Sequence, residues 1–152
     1  MKLDEKDKQI LRMIQKDAKL TAREIARKIN SPITTVFAKI KRMERDGIIK
    51  GYATIVDHKM LEKSVTAFIY ASFSKGEHVS QRDVVREIAK LPHVQEVHMI
   101  TGDWDMIIKI KEKDIDSIGK FVVDHLRTLK GIEKTLTTLV LGTEKESTEV
   151  LI

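Results

Sequence analysis

At 152 residues, with 41% hydrophobic content and a formal net charge of +5, the chain has room for one sizeable domain or two small ones. The absence of cysteine excludes disulfides, thiolate metal sites and cysteine nucleophiles. No apolar run approaches the roughly 18 residues needed to span a bilayer, and the charged N-terminus has no signal-peptide core, so a cytoplasmic chain without membrane attachment is expected.

Taken in order, the sequence opens with Asp4 placed to cap a helix through about Lys16, on which Ile10, Leu11 and Ile14 point inward along with Leu3 or Met13. Ala18 and Leu20 fill the joint that follows. Thr21 with Glu24 three residues on is a capping box, in which hydroxyl and carboxylate each satisfy an orphan backbone N–H at a helix start. Ala22, Ile25, Ala26 and Ile29 recur at helical spacing, and Asn30 is suited to the left-handed conformation that ends a helix. Ser31 is expected to cap the next helix, with Pro32 at its first position. Two helices joined by so short a turn must cross, which is the helix-turn-helix arrangement.

On that next helix, Ile33, Val36, Phe37, Ile40 and Met43 fall on one side and are expected to be buried. Thr34, Thr35, Ala38, Lys41, Arg42 and Arg45 fall on the other, with Ser31 continuing the face. Lys39, Lys41, Arg42 and Arg45 are candidates for phosphate contacts. Ser31, Thr34, Thr35 and Ala38 are candidates for contacts nearer the bases of double-stranded DNA. The plainer alternative is a solvated basic face. Charge distribution favours the DNA reading: residues 1–50 carry 14 Lys or Arg against 7 Asp or Glu, whereas residues 51–152 carry 14 against 16. A basic end on a near-neutral remainder predicts one nucleic-acid-binding domain joined to something else.

Gly47 supplies a helix stop, residues 48–56 read as short strands forming a wing or a strand leading out of the domain, and residues 57–63 read as a linker. From Val65 the period changes to two. Val65, Ala67, Ile69, Ala71 and Phe73 share one face of a strand, and Thr66, Phe68, Tyr70 and Ser72 the other. Ser80 with Asp83 caps a helix that Pro92 ends. Residues 94–100 and 104–111 form a hairpin about the turn Thr101, Gly102, Asp103. A helix over 114–129 and a strand over 132–141 complete a β-α-β-β-α-β order, the ferredoxin-like plan. The fold class is therefore α+β: a winged helix-turn-helix over 1–51, a strand and linker over 52–63, and a ferredoxin-like domain over 64–152. Its helices cover one sheet face only. The row Thr66, Phe68, Tyr70 is too apolar to stay wet, so a second copy is expected to cover it.

The segments LDEKDKQILRMIQKDAKLTAREIARKI and ERDGIIKGY, the βαββαβ half, and above all TGDWD at 101–105 resemble the Lrp/AsnC family of bacterial and archaeal transcription regulators, also called feast/famine regulators. The resemblance covers nearly the whole chain. It implies a winged helix-turn-helix followed by a ligand-sensing ferredoxin-like domain, dimers that often assemble to tetramers or octamers, and an amino-acid effector bound between subunits. It also implies effector-binding roles for Thr101, Gly102, Asp103, Trp104 and Asp105, and for Thr135, Thr137 and Thr138 on the last strand. A carboxylate suits an α-ammonium, while glycine-turn N–H groups and threonine hydroxyls suit an α-carboxylate. A plain hairpin turn accounts for Gly102 and Asp103 about as well.

Asp103 and Asp105 with nearby His98 would be the seed of any metal or acid–base site. The histidines at 58, 78, 93, 98 and 125 stand singly, however, and no metalloprotease, phosphate-loop or nucleophile motif is present, so neither an enzyme nor a cofactor is expected. The expected function is sequence-specific DNA binding and transcriptional regulation modulated by a small effector, most simply an amino acid. An architectural DNA-organising protein without an effector is the alternative.

Overall fold

The computed structural model describes residues 2–74 and 79–152; His78 lies outside the described residues. The chain divides into two compact units, Met1–Ile55 with Lys145–Ile152, and Val56–Glu144.

The first unit is built on three helices, α1 (Glu5–Lys16), α2 (Ala22–Lys28) and α3 (Ile33–Arg45). Two of the three caps expected here form. Asp4 and Asp7 make a capping box at α1, with reciprocal backbone-to-carboxylate hydrogen bonds of 2.8 and 2.9 Å. Thr21 and Glu24 do the same at α2. Asn30 takes the left-handed conformation at φ 48°. Ser31, however, is not the cap of α3: Pro32 occupies that position and no side chain bonds the helix start. The Ser31 hydroxyl instead accepts from the Lys6 ammonium at 3.3 Å. Ile10, Leu11, Ile25, Ala26, Val36 and Met43 form the core.

The strands expected in 48–56 do not form, since an extended segment counts as a strand only when a ladder partner satisfies its N–H and C=O groups. Residues 145–152, which the sequence assigns to the second domain, pack instead in the first unit. The Gln15 side chain donates to the Val150 carbonyl at 3.1 Å and accepts from its N–H at 2.7 Å, and Arg12 Nε donates to the Ile152 carbonyl at 2.8 Å. Ile152 packs against the helical core.

The second unit follows the expected β-α-β-β-α-β order: β1 (Val65–Phe73), α4 (Gln81–Ile88), β2 (Val94–Met99), β3 (Met106–Glu112), α5 (Ile115–Lys120) and β4 (Ile132–Leu139). The sheet is antiparallel with strand order β2-β3-β1-β4. Ile69 pairs with Ile108 on one side and Thr137 on the other, which fixes the register. Alternate residues Ala67, Ile69, Ala71, Met106, Ile108 and Ile110 are fully buried under the helices. Val84 and Ile88 of α4 and Ile118 of α5 close that core.

Two details differ from the sequence reading. Ser80 precedes α4 but makes no side-chain cap, and Asp83 pairs instead with Arg86 at 2.8 Å. The helix over 114–129 is not uniform: after α5 it widens into a π-helical turn, Phe121–Leu126. This turn buries Phe121, Val122 and Leu126 and stacks His125 on His93 at 5.6 Å, so those two histidines are not solitary.

Gly131, at φ +93°, leads into β4, and a Cβ there would meet the Val84 side chain at 3.3 Å. Gly131→Ala is expected to cost about 1–3 kcal/mol from the left-handed backbone, lowering the thermal unfolding midpoint. An unchanged midpoint would show that the turn relaxes freely.

Candidate DNA interface and effector cleft

The orientation of α3 is set by a buried carboxylate on α1. Asp7, fully buried, accepts two hydrogen bonds from one Arg42 amino group at 2.7 and 2.8 Å, and takes the Lys39 ammonium at 3.0 Å. Asp4 holds Lys39 from the other side. Burial alone would lower the Lys39 ammonium, but the hydrogen bonds it donates to both carboxylates outweigh this and hold the group above its usual value.

This network decides which residues face outward. Lys39 and Arg42, read from sequence as phosphate ligands, are turned toward α1, with side chains 15% and 37% exposed. Ile33 and Phe37, read as core, are exposed at 47% and 54%, because the buried sector of α3 centres on Val36 and Met43 and the helix is rotated toward Lys39. Thr34, Ala38, Lys41 and Arg45 face solvent as expected, while Ser31 and Thr35 are half-buried. Lys41 and Arg45 have acidic neighbours in Glu44 and Asp46, but their side chains are 59% and 75% exposed, and such surface pairs exchange readily for a phosphate. Glu44 also accepts from the Tyr52 hydroxyl at 2.9 Å, and hydrogen bonds from Lys41 and then Tyr52 lower its carboxyl.

The sequence reading passed over Arg23 and Arg27. These exposed residues line a shallow cleft beside the turn with Asn30, Ser31 and Pro32. Their i,i+4 spacing on the polar side of α2 was the available signal.

In the second unit the register of β1 against β4 shifts between Ser72 and Phe73. The Asp105 carboxylate takes the Phe73 N–H at 2.8 Å, and the Asp105 N–H bonds the Ala71 carbonyl at 3.1 Å. Asp105 thus ties the β2–β3 turn to β1. The turn residues Thr101, Gly102 and Asp103 stand exposed, with Gly102 at φ +120°. Gly102, Asp103, Trp104 and Asp105 border a cleft with Ser72, Phe73, Ser74, Glu133 and Lys134. The Ser72 hydroxyl there is buried without a hydrogen-bond partner among the described residues. Trp104 also leans on Tyr70, with ring centroids 6.2 Å apart, and borders a neighbouring hollow with Arg127 and Thr135.

The three threonines do not converge. Thr135 accepts from Arg127 Nε at 3.1 Å. Thr137 pairs with Ile69 and Thr138 with Phe68, so those two fall on opposite sheet faces, and neither lines these two hollows. Ser72, Ser74, Glu133, Lys134 and Arg127 were not legible as neighbours of the turn. His98 points to Glu96 at 3.4 Å rather than to Asp103 or Asp105, and no group of three or more metal-ligating side chains occurs among the described residues.

Removing the Asp7 carboxylate leaves two cations facing a buried gap, so Asp7→Ala is expected to cost about 3 kcal/mol in urea unfolding; a loss below about 1 kcal/mol would demote the network. Hydrogen bonds from Lys39 and from the Asp7 N–H lower the Asp4 carboxyl from its ordinary 3.8 to about 2. A lowered folded-state value stabilises fully above the unfolded value and is lost on acidification. Asp4→Asn should therefore lower the unfolding midpoint at pH 7, and the gap to the native chain should close between about pH 4 and pH 2. A gap independent of pH would mean that the cap, not the charge, is what Asp4 contributes.

Residues 66–150 match the family described as the Lrp/AsnC ligand binding domain, and residues 3–50 match the winged helix-turn-helix DNA-binding family. The chain is 35% identical over 150 residues to the HTH-type transcriptional regulator FL11 of Pyrococcus horikoshii, covering 99% of this chain and 97% of that one. It is 36% identical over 150 residues to the transcriptional regulator AzlB of Bacillus subtilis, covering 99% and 96%. A solved transcriptional regulator from Neisseria meningitidis in complex with L-Met superposes at TM-score 0.92, with 25% identity over 99% of this chain and 97% of that one. No helix among the described residues is long and apolar enough to cross a membrane. The chain belongs to the Lrp/AsnC family, whose members are transcription regulators and not enzymes, with a winged helix-turn-helix for DNA and a ferredoxin-like ligand-binding domain.

Proposed function

We propose that this regulator binds specific DNA sequences through α3, and that an amino acid held at the cleft beside Gly102, Asp103, Trp104 and Asp105 modulates its assembly or affinity. The observation that carries the effector reading is the Ser72 hydroxyl, buried without a partner among the described residues at a cleft that also holds carboxylates and the Lys134 ammonium. A zwitterion supplies both complementary charges and a hydrogen bond for that hydroxyl. Asp103 is the exposed carboxylate for the α-ammonium, because Asp105 is engaged with the Phe73 N–H. The similarity to a regulator complexed with L-Met supports an amino acid as the ligand class.

DNA contact falls to Thr34, Ala38, Lys41 and Arg45, with Ser31 and Thr35 at the margin. Lys39 and Arg42 act chiefly by fixing the helix. The open sheet face carries the half-buried Phe68, Tyr70 and Ile107, which a second copy of the chain would cover. The functional unit is thus a homodimer acting in the cytoplasm, with further assembly to tetramers or octamers. Two copies of α3 then read half-sites about one helical turn apart.

The test is a thermal-shift screen of the full chain against each of the twenty L-amino acids, followed by DNA-binding isotherms with those that bind. One or a few should raise the unfolding midpoint and change DNA affinity by roughly 5–150-fold. Asp103→Ala should lose that response and keep the affinity measured without amino acid. Indifference to all twenty would leave a regulator whose turn is purely structural.

A further inference from the structure

On α3, two large apolar side chains stand in solvent at helical spacing. Phe37 is 54% exposed and Ile33 is 47% exposed, one turn before it. Residues four apart on a helix are surface neighbours, so they form one apolar ridge. The Lys41 ammonium lies 5.7 Å from the centre of the Phe37 ring, on the side of the ridge leading to Arg45. Thr34 and Ala38 flank it. The core of this unit does not use the ridge, because Val36 and Met43 fill the inward side.

The surroundings identify what the ridge meets. Exposed Lys41 and Arg45 on α3, and Arg23 and Arg27 beside the turn, form a cationic frame around an apolar centre. The floor of the DNA major groove fits both parts: phosphates line its edges, and the thymine C5-methyl is the apolar group on the base edges, accepting contact from small apolar side chains and phenylalanine. Every adenine–thymine pair presents that methyl in the major groove and none presents it in the minor groove.

We propose that Phe37, supported by Ile33, is a specificity determinant that reads thymine methyl groups at the centre of each half-site. This rests on the reading that α3 enters the major groove. In this arrangement the Lys41 ammonium, held over the ring, keeps the phenyl group upright and points its own charge to the adjoining phosphate. Base selection then comes from an apolar contact at mid-helix, and the cations supply affinity that is indifferent to sequence.

The experiment begins by selecting duplexes for the full chain from a randomised pool. Each thymine of the enriched sequence is then replaced singly by deoxyuridine, which removes the C5-methyl and nothing else. Dissociation constants are measured for the native chain, Phe37→Ala and Phe37→Leu across a salt series. In the native chain, one deoxyuridine per half-site should weaken binding about fourfold, the effect of one buried apolar carbon. In Phe37→Ala the same substitution should have no effect, with Phe37→Leu between the two, and the salt slope should be unchanged because no phosphate contact is lost. An equal deoxyuridine penalty in the native chain and Phe37→Ala, or none in the native chain, would overturn the proposal while leaving DNA recognition intact. A pool that yields no enriched sequence would overturn both the proposal and the reading it rests on.

Discussion

The buried carboxylate of Asp7 is the constraint from which the DNA-binding unit takes its form. A charge removed from water must be compensated by its neighbours, and Asp7 does so with two cations that both belong to α3. The rotation of α3 about its own axis is therefore pinned electrostatically at two points one turn apart. Hydrophobic burial is non-directional and by itself would favour Ile33 or Phe37 inside as readily as Val36 or Met43. The ion network removes that freedom, and so determines the chemical character of the helix surface.

The ligand-binding unit uses the same device with a different partner. Where β1 slips register against β4, the Phe73 N–H leaves the ladder and would be orphaned. The Asp105 carboxylate receives it. With the Asp105 N–H on the Ala71 carbonyl, this bond holds the β2–β3 turn against β1, leaving the neighbouring Asp103 in solvent. Two aspartates separated by one residue do different jobs, structural and exposed, because a sheet irregularity singles out one of them.

What was legible in the sequence was local. The Asp4 cap, the Thr21–Glu24 capping box and the left-handed Asn30 depend on residues three or four apart, and the alternation along β1 needs nothing beyond itself. The centre of the buried sector of α3 was not legible: a 100° period defines an arc of apolar residues, and only contact with α1 decides which edge of that arc is covered. The family resemblance groups Thr135, Thr137 and Thr138, but a strand sends neighbours to opposite faces, and which face meets the turn depends on a bulge with no sequence mark. Ser72, Glu133 and Lys134 were missed for the same reason, since their approach to the turn is a matter of register. The widening of the second helix after Lys120 likewise follows from packing of Phe121 and Leu126 beneath the sheet rather than from propensity.

The docking of residues 145–152 on α1 has a consequence for biosynthesis. The first unit is discontinuous: the whole of Val56–Glu144 is translated between its helices and its final segment. At about 5–20 residues per second, the ribosome takes several seconds to cover that interval. Throughout it the nascent helices lack Ile152 against their core and the Val150 pairing with Gln15. The order of emergence therefore makes the ligand-binding unit available to fold as a complete module first, and the DNA-binding unit gains its last contacts only when synthesis has passed the second unit altogether.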